Sequence, residues 1–329
     1  MKNKKLSNLS MFMVMLGFTF FSASMWAGQK LAAGLDFRGF LLALLLGGLI
    51  LAAYTGALGY IGGESGFSLD ELARRSFGEK GSYLPSAMIS FTQIGWFGVG
   101  LAMFAIPVAK ELLGLEVTPD HMPWQGYLLV LIAGILMTGS AYFDIKGLTV
   151  IAFFLGNSLM FFFGAVSSIY AGGNDIFEVM LNLNMFYIAV LVLGLNIWTT
   201  NDNALFTSGL GLSNIFGLPK KTMVLIAGLI GTLAAVWLYW NFCDWLNILN
   251  ATLPPVGIIL IISYFTHRKE YLADAVPHKS VDWWAVFGVI AGAVVANLVK
   301  WGFPAINGMA VAAVCYLIGQ WVAAGKEVK

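Results

Sequence analysis

Ten long apolar stretches constrain the fold of this chain more than any other feature. Each is about as long as the roughly 20 residues that an α-helix needs to cross a bilayer. The connections between them are short, so no separate soluble domain is expected. The stretches are residues 11–33, 40–61, 83–109, 127–143, 147–171, 183–206, 222–240, 244–264, 283–300 and 303–323. We therefore predict an all-α polytopic membrane protein with ten spanning helices.

The composition supports this prediction. Of the 329 residues, 59% are hydrophobic and 11% are charged, and the mean hydropathy is +0.82. A soluble domain has roughly a quarter of its residues charged. The net charge of +1 gives no indication of a nucleic-acid partner. Cys243 and Cys315 form no CxxC pattern, which argues against a zinc site or a disulfide framework.

The basic residues orient the predicted helices. With the N-terminus inside, only Lys30, Arg38, Lys110 and Lys300 of the 18 Lys and Arg residues lie on the outer side. This asymmetry obeys the positive-inside rule and places both termini in the cytoplasm. The basic N-terminus before residues 11–33 also fits a cleavable signal peptide. We interpret it as the first spanning helix, because the apolar pattern continues and all later stretches are also membranous.

A polar run interrupts the sixth stretch. Residues 196–203 have the sequence Asn-Ile-Trp-Thr-Thr-Asn-Asp-Asn. Polar groups at membrane depth are costly unless they are satisfied. Their oxygens are the ligands that hard cations such as sodium prefer, so the run predicts the wall of an ion or solute site. Asp202 is either a proton or cation group or a residue at the cytoplasmic mouth. We expect the mouth, because about nineteen helical residues precede it.

The third stretch contains a second candidate site. Gln93 and Trp96 are three residues apart, so they share one face of a helix. An indole stacks on a flat heteroaromatic ligand, and an amide pairs with its donor–acceptor edge. The alternative is a packing Trp and a Gln that bonds to a neighbouring helix. The glycines nearby form no dinucleotide fingerprint, because no strand precedes them. We favour the binding interpretation.

Small residues and prolines interrupt two further stretches. Gly17 and Ser22 in the first stretch predict either close helix packing or a discontinuous helix whose free carbonyls bind a cation. Pro254 and Pro255 in the eighth predict either a static kink or a gate hinge. No HExxH, GxSxG or P-loop sequence occurs, and no span contains paired carboxylates. We therefore expect no enzymatic activity.

Several motifs resemble those of the nucleobase–cation symporter-1 family, and the likeness runs nearly end to end. The motifs are FTFFSASMW at 18–26, TQIGWFGVG at 92–100, MFAIPV at 103–108, FLGNSLM at 154–160 and LGLNIWTTNDN at 193–203. The resemblance implies one transmembrane domain over 1–329 with a leucine-transporter-like inverted-repeat fold. It also implies sodium-coupled import of cytosine by alternating access across the bacterial cytoplasmic membrane. A monomer in the lipid bilayer, without organic cofactor or nucleic acid, is expected.

The resemblance also implies the role of individual residues. The residues expected at the substrate are Gln93, Trp96, Asn196, Phe21 and Ser22. The sodium ion is expected between the Thr199 and Thr200 hydroxyls and the main chain of Gly17, Phe20 and Asn196. Pro254 and Pro255 are the expected gating residues.

The chain departs from the family pattern between Val150 and Ile151. Family members have about twelve spanning helices. Residues 1–150 correspond to helices 1–4 and the start of helix 5, and residues 151–329 to the remainder of helix 7 through helix 12. The missing sixth helix is the broken partner of the first and has an aromatic residue that sandwiches the base. Two alternatives to cytosine transport follow: a transport-inactive membrane protein with partial ligand or ion binding, and a permease for a related nucleobase or hydantoin-like compound.

Overall fold

The computed structural model describes residues 36–143, 180–272, 280–299 and 301–327. The elements within these residues are α-helices, which we number α1 to α10 in chain order. They are α1 Phe37–Ser65, α2 Leu69–Phe77, α3 Tyr83–Glu111, α4 Trp124–Phe143, α5 Phe186–Phe216, α6 Lys220–Trp240, α7 Phe242–Thr266, α8 Arg268–Leu272, α9 Trp283–Leu298 and α10 Pro304–Glu327.

Eight of the ten predicted stretches lie in the described part of the chain, apart from residue 300 at the end of one of them, and each forms a helix. The other two, 11–33 and 147–171, lie outside the described residues. Within the described residues, six helical segments are long and apolar enough to cross a membrane, and α9 is a shorter apolar helix of 16 residues. The six segments are Leu45–Ser65, Tyr83–Glu111, Trp124–Tyr142, Lys220–Trp240, Phe242–Thr266 and Pro304–Ala323. The chain is thus a multi-pass membrane protein, as predicted.

The short helix α2 was not predicted, although its start has a sequence signature. The Glu71 backbone N–H donates to Ser68 Oγ at 3.3 Å, and the Ser68 backbone N–H donates to Glu71 Oε2 at 2.6 Å. This reciprocal arrangement is a capping box, which satisfies two backbone donors at a helix start. The pattern Ser-x-x-Glu therefore marks a helix that a search for apolar stretches does not detect.

The helices divide into two compact units, which we describe separately. The first unit contains α4, the part of α3 from Ile94 onward, α5 as far as Phe206, and α6 from Val224. The most apolar part of α3 is 67% buried, whereas that of α1 is only 6% buried. Most residues in this part of α3 are therefore surrounded by protein, whereas most of those in α1 lie at the surface.

Threonines of the first unit pack into glycine positions of the facing helix. An added Cβ at Gly134 of α4 would lie 2.4 Å from Thr232 Oγ1 of α6. An added Cβ at Gly228 of α6 would lie 2.3 Å from Thr138 Oγ1 of α4. The residue number rises along one helix as it falls along the other, so the two helices are antiparallel. Small residues let the backbones approach closely where no hydrophobic effect drives association within lipid.

The second unit contains α2, α7 to α10, α1 from Leu42, α3 as far as Gln93, and α5 from Thr207. Its apolar core includes large side chains that are almost fully buried. They include Ile61, Phe77, Tyr264 and Tyr316. The helices α9 and α10 form an antiparallel pair in which Gly292 and Gly308 face each other's backbone.

A half-buried amide joins three helices of the second unit. Asn214 Nδ2 of α5 donates to Ser86 Oγ of α3 at 2.9 Å and to Ser82 Oγ, just before α3, at 3.1 Å. Its Oδ1 accepts from Arg74 Nε of α2 at 3.0 Å. The Ser86 hydroxyl in turn donates to Asp70 Oδ1 at 2.7 Å. These bonds fix the end of α5 to α3 within this unit.

Candidate functional site

The polar run 196–203 lies in the middle of a long helix. The 31-residue helix α5 continues to Phe216, ten residues beyond the predicted end of the stretch. It ends at Gly217, whose φ of 68° is a left-handed conformation that glycine adopts readily. Asp202 therefore lies within the helix and not at its end, and its place at the cytoplasmic mouth stays a prediction. An apolar window detects lipid-facing surface, and a helix does not have to end where the window does.

The Thr199 and Thr200 hydroxyls converge on one carbonyl oxygen. Thr199 Oγ1 donates to the Asn196 carbonyl at 2.9 Å, and Thr200 Oγ1 donates to the same atom at 3.0 Å. Successive side chains on a helix point about 100° apart. The two hydroxyls nevertheless reach the same oxygen, because one residue is three and the other four positions beyond it. All three residues are buried.

The other polar side chains of the run point to different partners. Asn203 Nδ2 donates back to the Thr199 carbonyl at 3.0 Å. Asn201 is fully buried, and its Nδ2 lies 3.3 Å from the Phe97 carbonyl and 3.2 Å from Met137 Sδ. The dense set of oxygens expected from the sequence is therefore dispersed. The convergent oxygens of the run belong to Asn196, Thr199 and Thr200.

Asp202 belongs to a second polar group. Ser140 Oγ of α4 lies 2.6 Å from Asp202 Oδ1 and can donate to it, and the Trp198 Nε1–H donates to the same Ser140 hydroxyl at 2.8 Å. The carboxylate is thus held by a hydrogen-bonded chain within the first unit. Sequence reasoning missed Ser140. The signal was the polar triplet Thr138-Gly139-Ser140 near the end of an otherwise apolar stretch.

The glycines around Trp96 have a packing role. An added Cβ at Gly98 would lie 2.7 Å from the Gly231 carbonyl of α6. An added Cβ at Gly100 would lie 2.5 Å from Asn201 Oδ1 of α5. This part of α3 therefore lies directly against α5 and α6.

Gln93 and Trp96 lie on the continuous helix α3, one turn apart, and both are half-buried. Their positions agree with the predicted shared face, and their roles stay a prediction. Four further predicted site residues lie outside the described residues. These are Gly17, Phe20, Phe21 and Ser22.

The two prolines of α7 do not interrupt that helix. It runs without a break from Phe242 to Thr266, with Pro254 and Pro255 inside it. Pro255 is buried, and its Cγ would lie 3.1 Å from a Cβ added at Gly292 and 3.4 Å from one added at Gly308. The ring thus fills the space that two glycines leave. The gating role of the prolines stays a prediction.

Comparison with known proteins gives a family and a fold. Residues 2–168 and 140–281 match a family model described as permeases for cytosine/purines, uracil, thiamine and allantoin. The chain is 39% identical to the cytosine permease of Escherichia coli strain K12 over 388 aligned positions, which cover 94% of this chain and 90% of the relative. The cytosine permease of E. coli O157:H7 matches with the same values.

A solved structure has the same fold. It is Mhp1, a nucleobase–cation-symport-1 family transporter in a closed conformation with bromovinylhydantoin bound. The TM-score is 0.53 and the sequence identity 17%, over 95% of this chain and 86% of Mhp1. The match confirms the predicted leucine-transporter-like fold. The relatives are named as permeases or transporters, which agrees with the prediction that this chain is no enzyme.

The alignment with the E. coli relative also measures how much of the relative has no counterpart. The alignment has 388 positions. It includes 94% of the 329 residues of this chain, which is roughly 309 residues. The difference is roughly 79 positions that pair a residue of the relative with none of this chain. The predicted position of the gap, between Val150 and Ile151, lies outside the described residues.

Proposed function

Because the chain belongs to the family of permeases for cytosine/purines, uracil, thiamine and allantoin, we propose that it imports cytosine together with sodium. The observation that carries the proposal is the convergence of the Thr199 and Thr200 hydroxyls on the Asn196 carbonyl. The name of the 39% identical E. coli relative supports cytosine as the substrate. Import takes place across the bacterial cytoplasmic membrane by alternating access, through a monomer with both termini inside.

The donor set of α5 fits sodium. Sodium is a hard cation, and hydroxyl and carbonyl oxygens are suitable ligands by the same reasoning that applies to calcium and magnesium. In the structure both hydroxyls lie within hydrogen-bond distance of the Asn196 carbonyl, and Thr199 Oγ1 also lies 3.2 Å from the Leu195 carbonyl. An arriving ion is bound when the hydroxyl protons turn away, which makes all three oxygens available. The main chain of Gly17 and Phe20 completes the proposed set.

The base is proposed to lie against α3. Trp96 stacks on the pyrimidine ring, and Gln93, one turn earlier, pairs with its polar edge. Asn196, Phe21 and Ser22 are the further proposed contacts. The half-burial of Gln93 and Trp96 is compatible with access for a ligand.

Two specific observations support the alternatives. About 79 positions of the E. coli relative have no counterpart here, which favours a transport-inactive protein that keeps part of the binding site. The structural match to a transporter with bromovinylhydantoin bound favours a permease for a hydantoin-like compound or a related nucleobase. Both alternatives retain the fold and differ in what is bound or moved.

One experiment separates the three functions. The purified protein is reconstituted into vesicles, and uptake of radiolabelled cytosine is measured with an inward sodium gradient and with potassium in its place. Sodium-dependent uptake supports the proposed import. Sodium-dependent cytosine binding without uptake supports the transport-inactive protein. In a parallel measurement with a radiolabelled hydantoin, sodium-dependent hydantoin uptake without cytosine uptake supports the related permease. Absence of both uptake and binding for all these compounds refutes the proposal.

A further inference from the structure

We propose that Asn201 is the positioning residue that couples the cation site on α5 to the substrate-binding face of α3. The inference rests on the proposed function, in which Thr199 and Thr200 hold sodium and Trp96 stacks on the base. Asn201 itself touches neither ligand in this proposal. It acts on the backbone next to each of them.

The position of Asn201 joins the two sites through a single side chain. It directly follows Thr200 on α5. Its Nδ2 lies 3.3 Å from the carbonyl of Phe97, the residue that directly follows Trp96 on α3. All of these residues belong to the first unit. A movement of the turn 196–200 is therefore transmitted through one hydrogen bond to the backbone beside Trp96.

The packing around Asn201 allows only one orientation of its amide. Met137 Sδ lies 3.2 Å from Nδ2. Oδ1 fits beside Gly100 only because that residue has no side chain, since an added Cβ would lie 2.5 Å from Oδ1. An exchange of Oδ1 and Nδ2 would place two acceptor oxygens, Oδ1 and the Phe97 carbonyl, against each other. The donor Nδ2 must therefore face the Phe97 carbonyl, with Oδ1 beside Gly100.

The amide is retained at a cost in stability. Asn201 is 0% exposed, and within the described residues its Oδ1 has no hydrogen-bond donor. A buried acceptor without a donor destabilises a fold, and a leucine, which also branches at Cγ but has no polar atoms, would avoid this cost. What leucine does not supply is the bond to the Phe97 carbonyl. A residue kept for packing alone has no need of that bond.

Sodium binding changes the hydrogen bonds in the turn of α5 that directly precedes Asn201. The Thr199 and Thr200 hydroxyls turn from the Asn196 carbonyl to the ion, and the adjacent turn of α5 adjusts. The Asn201 bond then moves the α3 backbone with it, which sets the orientation of Trp96 for the base. By linkage, the base strengthens sodium binding by the same factor. Such a contiguous chain of packed groups is a physical route for coupling between two sites.

The test is Asn201→Leu, with Asn214→Leu as the matched control. Asn214 is also an amide that ties α5 to α3, but its bonds to Ser82 and Ser86 lie in the second unit. The protein is labelled with fluorotryptophan, and the fluorine NMR signal of Trp96 is assigned by its loss in Trp96→Phe. Sodium and potassium are compared at equal ionic strength. Thermal stabilisation by sodium is measured on the same samples.

The expected result separates coupling from folding. Sodium stabilises the parent and both leucine variants, and it shifts the Trp96 signal in the parent and in Asn214→Leu. In Asn201→Leu the signal no longer responds to sodium, and the ratio of cytosine affinities in sodium and potassium falls to about one. Gly100→Ala, whose Cβ would lie 2.5 Å from Asn201 Oδ1, displaces the amide and is expected to have the same effect. It tests the inference where Asn201→Leu does not fold.

Four outcomes overturn the inference. A Trp96 signal that responds to sodium as strongly in Asn201→Leu as in the parent refutes it, and so does an equal loss in Asn214→Leu. A parent that sodium stabilises but whose Trp96 signal stays unchanged also refutes it, while the proposed sodium site stands. A parent that sodium does not stabilise refutes the inference and the sodium-coupled function together. Failure of the parent to bind cytosine contradicts the proposed substrate only, since the Trp96 signal still decides the coupling.

Discussion

Replacing Thr199 and Thr200 by valine is expected to remove the cation site with little effect on the fold. Both hydroxyls donate to the Asn196 carbonyl, at 2.9 and 3.0 Å. In an α-helix this carbonyl also accepts the backbone N–H of residue 200, so it stays satisfied without the hydroxyls. Valine has nearly the same shape as threonine. We expect each substitution to lower the free energy of unfolding by no more than about 0.5–1.5 kcal/mol.

The effect on sodium binding is expected to be larger. Each substitution removes one oxygen from the ion, and contacts of polar groups with a charge are worth about 1.5–3 kcal/mol. A loss of about 2.7 kcal/mol weakens binding about a hundredfold. At a sodium concentration about 100 times the Kd of the parent, sodium stabilises the parent by about 2.7 kcal/mol. A variant with a Kd about a hundredfold higher gains only about 0.4 kcal/mol under the same conditions.

Thermal unfolding of the purified protein measures this difference. Sodium is compared with potassium at equal ionic strength, because the general effect of salt is then the same. The matched control is Thr232→Val. Thr232 is half-buried in α6, and its hydroxyl donates to the Gly228 carbonyl at 2.7 Å, four residues earlier, as Thr200 does to Asn196. The control should keep the full stabilisation by sodium. Equal stabilisation of the double valine variant and the parent would falsify the placement of the ion.

Three further predictions test the base site and the packing of the first unit. Trp96→Ala should weaken cytosine binding by one to two orders of magnitude, since base–aromatic stacking is worth about 1–3 kcal/mol; an unchanged Kd in a titration of the purified protein contradicts the stacking role. Gln93→Leu should leave the polar edge of cytosine unpaired, at a cost of about 1–3 kcal/mol; if competition by uracil and hypoxanthine keeps the ranking and affinity of the parent, Gln93 only packs. Gly228→Ala should lower the melting temperature, because its Cβ would lie 2.3 Å from Thr138 Oγ1. Adding Thr138→Ala should restore it, and a double-mutant cycle with no interaction energy contradicts the contact.

The sequence was sufficient for the class of fold and for the eight stretches that the structure describes. Hydrophobicity over a bilayer width is a local property, and it predicted helices such as α3 and α7 closely. It did not predict α2 or the last ten residues of α5, which are too polar to form an apolar window. Their signals were the capping box at Ser68 and the glycine at position 217.

The candidate site was predictable as a set of residues but not as an arrangement. The run 196–203 was identified from its sequence as a polar segment within an apolar stretch, yet the direction of each side chain depends on which helix lies beside it. Asn201 faces α3 and Asp202 faces α4. The spacing of residues along α5 does not predict which helix each side chain faces. That depends on how closely α3, α4 and α6 pack, which the glycine contacts of these helices determine. The sequence also did not predict that two hydroxyls donate to the same Asn196 carbonyl.

The mid-helix position of Thr199 and Thr200 has a consequence for the energy source of transport. Thr199 is residue 14 of α5, roughly 20 Å from the start of the helix. The hydrocarbon core is about 30 Å thick. If the start of α5 lies at the outer surface, as the proposed orientation requires, an ion that enters the proposed site from outside passes through more than half of this core. One elementary charge that crosses the whole membrane changes energy by about 2.3 kcal/mol per 100 mV. An ion held at this depth therefore gains more than about 1.2 kcal/mol per 100 mV from a potential that is negative inside. Sodium affinity from the outer side should accordingly rise with membrane potential at constant sodium concentration.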